Sequence, residues 1–178
     1  MAYSGVLTIA TVRGYCRIGG DGEDAVLEAI AAGVEGAVTK FTGRLLAEHT
    51  AHEQIIEGAG RYLWPTVGPV TAITSVTLID TTSAETTTSY ALQGDDRVRR
   101  VRSDWLDSLY TVVASVGYAA ADIPAELMQV MYQLCARAYK GMGSAQTEGA
   151  GGHFYTLRQL ATTDEMAVLR SYRMGNPA

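Results

Sequence analysis

The sequence predicts an α+β protein: a helical core of two N-terminal helices plus a long helix near 124–140, carrying an inserted small antiparallel β-sheet and a C-terminal helical arm. Three observations predict it. Apolar residues recur at steps of three and four up to Phe41 and again after Pro124, the period of one helix face. Between about Ala47 and Tyr118 that period gives way to Thr- and Val-rich runs punctuated by Pro65 and Pro69, which suit pleated strands. From Gly141 to Gly152 five glycines stand among small and polar residues, the composition of a flexible linker. These shifts put a main domain at 1–140 with its β insertion at about 47–118, a linker at 141–156 and an arm at 157–178.

The first helix is expected within Leu7 to Ile18, where Ile9, Val12 and Cys16 share a face and Thr8 is available as N-cap. Gly14 and Gly19-Gly20 keep it short. Asp21-Gly22-Glu23-Asp24 starts the second helix with acids where the macrodipole favours them. Leu27, Ile30, Val34, Val38 and Phe41 form its apolar stripe, and Gly43 ends it. Gly33 and Gly36 each cost a helix about 1 kcal/mol against Ala, which suggests that another backbone approaches closely there.

Two runs read as strands, Ile73 to Leu78 and Thr111 to Val116, with a polar hairpin or loop at Thr81 to Ser89 and a turn at Gly94-Asp95-Asp96. The long helix starts at Pro124, which fits a first turn. Its polar residues Glu126, Gln129, Gln133, Arg137 and Lys140 make one narrow stripe. The rest is apolar or small, so more than half the circumference is buried, beyond the usual face of about 100° or somewhat more. Such a helix needs neighbours on several sides, and a second subunit could be one of them. After the linker, Thr162 and Glu165 have capping-box spacing. Met166, Leu169 and Tyr172 form the apolar side of a short helix, with Arg170 and Arg173 near its C-terminal end. A linker followed by an amphipathic helix is the plan of a docking arm; the same pattern also fits a helix folded back on its own domain.

The chain has 178 residues, enough for one medium domain with an appendage. With 47% hydrophobic and 19% charged residues it has the balance of a folded, soluble protein. No run reaches the ~18 apolar residues of a membrane span, and the opening Met1-Ala2-Tyr3-Ser4-Gly5 lacks the features of a signal peptide. The expectation is a cytoplasm-like compartment and no membrane. Cys16 and Cys135 form no CxxC unit and occupy apolar positions of helical patterns, so they are read as buried free thiols. A net charge of −5 argues against a surface built to grip phosphates, though not against a protein that DNA merely passes.

No residue pattern specifies catalysis, a cofactor or a metal. His49, His52 and Glu53 lack the i, i+4 spacing of HExxH and fall where a strand begins, so they are read as exposed loop histidines. His153 lies in the linker with no partner for a triad. Asp21 to Asp24 lacks the full calcium-loop pattern, and no GK[ST] follows the glycine runs at Gly58 and Gly149. One basic run remains, Arg97-Val98-Arg99-Arg100-Val101-Arg102. As a strand it puts Arg97 and Arg99 on one face, Arg100 and Arg102 on the other. A solvated edge, an acidic protein partner and DNA phosphates are all compatible with it.

Four stretches then resemble the head-tail connector, or adaptor, family of long-tailed bacteriophages. They are Leu7 to Ile18 with the acids that follow, and Phe41-Thr42-Gly43-Arg44-Leu45-Leu46. The third is Trp64-Pro65 with Gly68-Pro69-Val70 through Ile73 and Val76, and the last is Val116-Gly117-Tyr118 through Asp122-Ile123-Pro124. Their order and spacing carry the likeness over roughly Leu7 to Lys140. The family's usual Gly in its tyrosine-x-x-Gly motif is absent, because Tyr118 is followed by Ala119-Ala120-Ala121.

The resemblance implies a structural virion protein: a homo-oligomeric ring, typically twelve-fold, assembled in the host cytoplasm and seated in the virion neck between portal and stopper or tail protein. Genome DNA would cross its channel, with no cofactor and no catalysis. On this reading Leu157, Leu160, Met166, Leu169, Tyr172 and Arg173 are expected to dock on the portal. Arg97, Arg99, Arg100 and Arg102 would face a neighbour or the next ring, and Met128, Met131, Cys135 and Tyr139 a subunit interface. Another neck component (a stopper or tail-terminator) and a small ligand-binding α+β domain are the alternatives.

Overall fold

Two glycines with positive φ mark where the chain changes from helix to strand and back. Gly43 (φ 72°) follows the second helix, and Gly117 (φ 97°) follows the last strand, a left-handed conformation that costs glycine little. A computed structural model describes residues 5–58, 60–79, 89–94, 97–101, 105–145 and 160–174. Within them lie helices α1 (Ile9–Cys16), α2 (Asp24–Thr42), α3 (Ala125–Ala145) and α4 (Thr163–Ser171). The strands are β1 (His49–Glu57), β2 (Tyr62–Leu63), β3 (Val70–Leu78), β4 (Tyr90–Gln93), β5 (Arg97–Arg100) and β6 (Leu109–Val116). The fold is α+β. The chain divides into two compact units, Met1–Thr42 with Asp122–Arg173, and Gly43–Ala121 with Met174–Ala178.

In the helical unit α3 packs against α1, α2 and α4. This accounts for its excess of apolar residues: Leu127, Val130, Met131, Leu134, Cys135 and Ala138 are all buried inside one chain. The neighbours on several sides are the chain's own helices. α3 also runs on to Ala145, past the point where glycine composition predicts the linker to begin. Thr8 occupies the N-cap position of α1 but makes no side-chain cap; its backbone N–H donates to the Tyr132 hydroxyl at 3.3 Å. The close approach expected at Gly33 and Gly36 is not found, since a Cβ at either position would meet nothing within 4 Å. The acids that open α2 do more than complement a dipole: Arg13 of α1 grips Asp24, with Nη2 at 2.6 Å from Oδ2.

The second unit holds two three-stranded antiparallel sheets, ordered β1-β6-β3 and β2-β5-β4, where the sequence suggests a single small one. Along β6 alternate residues Tyr110, Val112, Ala114 and Val116 are buried, the period-2 pattern of a one-sided sheet. They share one core with Leu63, Val98, Tyr90 and Trp105 from the smaller sheet and its flank. Trp105 meets Tyr110 edge to face at a centroid distance of 5.0 Å, a favoured aromatic geometry. The polar loop expected at Thr81 to Ser89 and the turn residues Asp95 and Asp96 fall almost wholly outside the described residues.

Three of the motif stretches quoted above meet in this unit. The Gly43 carbonyl accepts from Gly68 N–H at 3.0 Å, and Leu45 N–H donates to Gly68 O at 2.7 Å. Gly117 N–H donates to Pro69 O at 2.8 Å, and Arg44 Nη1 donates to the Tyr118 hydroxyl at 3.3 Å. Gln54, buried on β1, holds the approach to this knot: its Oε1 accepts from Thr66 N–H (2.9 Å) and Val67 N–H (3.0 Å), while Nε2 donates to Val67 O (3.0 Å). The motifs join segments of backbone and side chain to one another.

Candidate interaction surfaces

The basic strand forms as expected, with Val98 fully buried and Arg97 and Arg99 on the opposite face. That face also carries Tyr62 of β2, paired with Arg99, and Ala91 and Gln93 of β4. The Arg97 guanidinium lies over the Trp64 ring (5.3 Å to its centroid) and the Tyr62 ring (5.7 Å), a cation–π arrangement that holds the charge at a defined place. Arg100 points the other way and lies over Trp105 at 5.0 Å, so its stem helps to cover the core. Arg102 lies outside the described residues.

The other sheet presents a surface that the sequence reading missed. On the solvent side of β1-β6-β3, Glu53 is in register with Val113 and Ser75, and Ile55 with Thr111 and Thr77. In the next row Glu57 is opposite Leu109, whose carbonyl accepts from Ile79 N–H at 3.0 Å. Ile55 is 61% exposed and Leu109 47%. These three rows hold two carboxylates and no cation. The signal was present in Ile55-Ile56 and Leu109-Tyr110: adjacent large apolar residues on one strand point to opposite faces, so one of each pair has to face outward.

The residues expected at a portal surface are split by the structure. Met166 and Leu169 are buried, Leu169 completely, on the side of α4 that packs on α3 and α2. Their apolar character is explained by the chain's own core. Leu160 and Tyr172 are half-buried and Arg173 is exposed. Tyr172 donates its hydroxyl to the Glu126 carboxylate, and Arg173 lies over the Phe41 ring at 6.0 Å. Leu157 lies outside the described residues. The capping box forms as predicted, with Thr162 N–H donating to Glu165 Oε2 at 2.7 Å. Glu165 is buried and also ion-paired with Arg137 of α3. Burial pushes its carboxyl up, but the Arg137 hydrogen bond and the two Thr162 bonds outweigh this, and the net shift is downward.

The four residues expected at a subunit interface divide likewise. Met131 and Cys135 are fully buried in the helical unit, which corrects their assignment to an outer surface. Met128 and Tyr139 remain half-exposed. Tyr139 donates to Glu23, and that bond raises the phenol. Burial raises the Cys16 thiol and pushes Cys135 up to about 12, so both stay protonated at neutral pH. Both are free cysteines.

His49 and His52 sit on β1, one residue pair either side of a register shift, rather than in a loop; His153 lies outside the described residues. Among the described residues no group of three or more His, Cys, Asp or Glu is placed to hold a metal ion. No helix among them is long and apolar enough to cross a membrane.

Chains from the necks of gene transfer agent particles match this chain over its whole length. The fold is shared with chains of gene transfer agent necks. One, from the neck of an empty gene transfer agent particle computed with C6 symmetry, has a TM-score of 0.69 at 17% identity; the match covers 100% of this chain and 95% of that one. A chain from the virion of a native gene transfer agent particle gives 0.63 at 19% identity, covering 100% and 95%. A third, from a native neck computed with C12 symmetry, gives 0.57 at 15% identity, covering 100% and 98%. No protein-family model matches the sequence, and no curated protein matches it. The likeness is one of fold, and it agrees with the connector resemblance read from the four motif stretches.

Proposed function

We propose that this chain is a structural subunit of the neck of a phage-like particle, the adaptor that forms a ring between portal and tail or stopper. The observation that carries the proposal is the end-to-end match to neck chains, at TM-score 0.69 with 100% and 95% coverage. The match runs over nearly the whole of both chains. Two of the similar chains come from necks computed with C6 and C12 symmetry, and a twelve-fold ring is the assembly we favour. The role is that of a conduit, without cofactor or catalysis. A net charge of −5 suits it, because a surface that weakly repels phosphate lets genome DNA pass without holding it.

Portal contact is assigned to the outward side of the C-terminal helix, around Leu160, Tyr172 and Arg173. Deleting everything after Lys140 would test this poorly, since it also strips the fully buried Leu169 from the core. Arg173→Glu is the better probe, because Arg173 is exposed. The experiment is to measure the mass of the purified chain alone and after mixing with the portal of its own particle. Formation of a portal-bound ring, weakened by Arg173→Glu without change in circular dichroism, is the expected result. A small oligomer of fixed size that ignores the portal sinks the adaptor reading.

A further inference from the structure

β1 is an edge strand of the larger sheet, and its outer side has backbone groups to spare. Antiparallel partners alternate between pairs that exchange hydrogen bonds and pairs that do not. Gly58 N–H donates to Ser108 O at 2.8 Å, so in the same register Ile56 with Tyr110 and Gln54 with Val112 are bonded pairs. Leu109 fixes the same phase: although it stands opposite Glu57, its carbonyl accepts from Ile79 of β3 at 3.0 Å. The backbone N–H and C=O of Glu53, Ile55 and Glu57 therefore point away from β6, to the open side of the sheet. Among the described residues no strand or isolated bridge pairs with that side, and all three residues are exposed.

A row of unpaired donors and acceptors is a template for another strand, and edges that avoid this carry bulges or charge along their length. In β1 the register shifts only near the start, between His49 and His52, where Ala51 has φ 55°. From Glu53 to Glu57 the pairing with β6 is regular. The centre of this regular run is Ile55, 61% exposed. Glu53 and Glu57 flank it, two residues to either side and on the same face.

We propose that the β1 edge receives, as an added strand, an extended segment of a partner protein with a basic, an aliphatic and a basic residue at alternate positions. Main-chain bonds to Glu53, Ile55 and Glu57 hold such a segment in register. Its residues opposite these three share their face, so two cations meet two carboxylates and an aliphatic side chain covers Ile55. Cross-strand pairs of both kinds stabilise a sheet. The same acids select against other occupants. In a second copy, β1 laid antiparallel and centred on Ile55 sets Glu53 opposite Glu57 twice, and like charges directly opposite are unfavourable. Nucleic acid and anionic lipid are repelled by the two carboxylates.

The test uses the full chain, isotope-labelled for NMR, and two capped heptapeptides: Thr-Lys-Thr-Val-Thr-Lys-Thr and its counterpart with glutamate in place of lysine. Binding is followed by amide chemical shifts and hydrogen exchange. The lysine peptide is expected to shift the amides of Glu53, Ile55 and Glu57, to slow their exchange, and to bind at least about tenfold more tightly than the glutamate peptide. Ile55→Pro removes one edge-facing N–H and leaves the bonds to β6 in place, a substitution that edge strands tolerate. It is expected to weaken lysine-peptide binding at least about tenfold, with circular dichroism unchanged. Glu53→Lys combined with Glu57→Lys is expected to reverse the preference, so that the glutamate peptide binds more tightly; a gain of binding cannot arise from misfolding. If the lysine peptide leaves the three amides unmoved, if Ile55→Pro binds it as the parent chain does, or if the double variant keeps the parent's preference, the edge is not a docking site. Ring formation on the portal is read separately, so the neck reading can stand while this edge fails.

Discussion

Gly117 and Gly36 show how differently two glycines can be used in one chain. Gly117 has φ 97°, and a Cβ there would lie 2.0 Å from the Ala47 carbonyl oxygen and 2.7 Å from its carbon. Both obstacles are backbone, so neither can rotate aside. Gly117→Ala is expected to destabilise the protein by about 2–5 kcal/mol, combining strain at positive φ with overpacking. Gly36 lies within α2, and a Cβ there meets nothing. Gly36→Ala should therefore stabilise by about 0.5–1 kcal/mol through helix propensity alone. Denaturant melts of the two variants check both signs, and a neutral Gly117→Ala would mean that the β6 end is not held as described. The thiols give a second check at this scale. Cys135, buried and pushed up to about 12, is expected to resist alkylation in the native protein at neutral pH and to react once denaturant unfolds the helices, as counted by mass spectrometry. Above pH 9 the unfolded chain releases this thiol proton while the folded chain keeps it, so stability falls as pH rises through that window.

At the scale of elements, α4 is held to α3 by a buried clasp: the Glu165 carboxylate accepts from Arg137 and from its own N-cap residue Thr162. Its carboxyl lies below the ordinary value of 4.5 in the folded chain. The folded state thus binds fewer protons than the unfolded state as pH drops past that value, and the clasp's contribution is full at neutral pH and lost in acid. Glu165→Gln is expected to cost about 1–3 kcal/mol at neutral pH and to flatten the acid limb of the stability profile. A variant with an unchanged acid limb would place that sensitivity elsewhere. Much of this element was legible in the sequence, because Thr162 and Glu165 make their bonds locally. Which surface α4 covers was not. Met166 and Leu169 require burial, but an apolar stripe does not specify whether its partner belongs to the same chain, and the stripe of α3 was ambiguous for the same reason. The strands of β6 and β3 announced themselves by β-branched residues, whereas β2 and β4 are only two and four residues long. β2 is defined by its pairing with the distant β5, which local composition does not report. The outward Ile55 was readable in principle from its neighbour Ile56, but only with the strand's register known.

At the scale of the whole molecule, the resemblance motifs turn out to be structural joints. Gly43, Arg44 and Leu45 reach Gly68 and Tyr118, and Gly117 reaches Pro69, so three of the four stretches close the sheet unit on itself. A fold likeness at 15–19% identity is compatible with such joints: a few backbone contacts fix the path, and side chains elsewhere are free to change while burial is kept. The sheet unit is built mainly from one stretch of chain, Gly43 to Ala121, joined by Met174–Ala178, and that stretch holds the core of Val76, Val98, Trp105, Tyr110 and Val112, whereas the helical unit is assembled from two long separated stretches. A continuous segment with its own core and closed joints meets the usual requirements of a domain. The excised segment 43–121 is therefore expected to fold alone, with antiparallel-sheet circular dichroism and a cooperative thermal transition. Arg44→Ala in that fragment removes the link to Tyr118 and should lower the transition temperature. A fragment with no cooperative transition would show that the sheets need the helices to form, and that the joints at Gly68 and Gly117 record the fold without being sufficient to hold it.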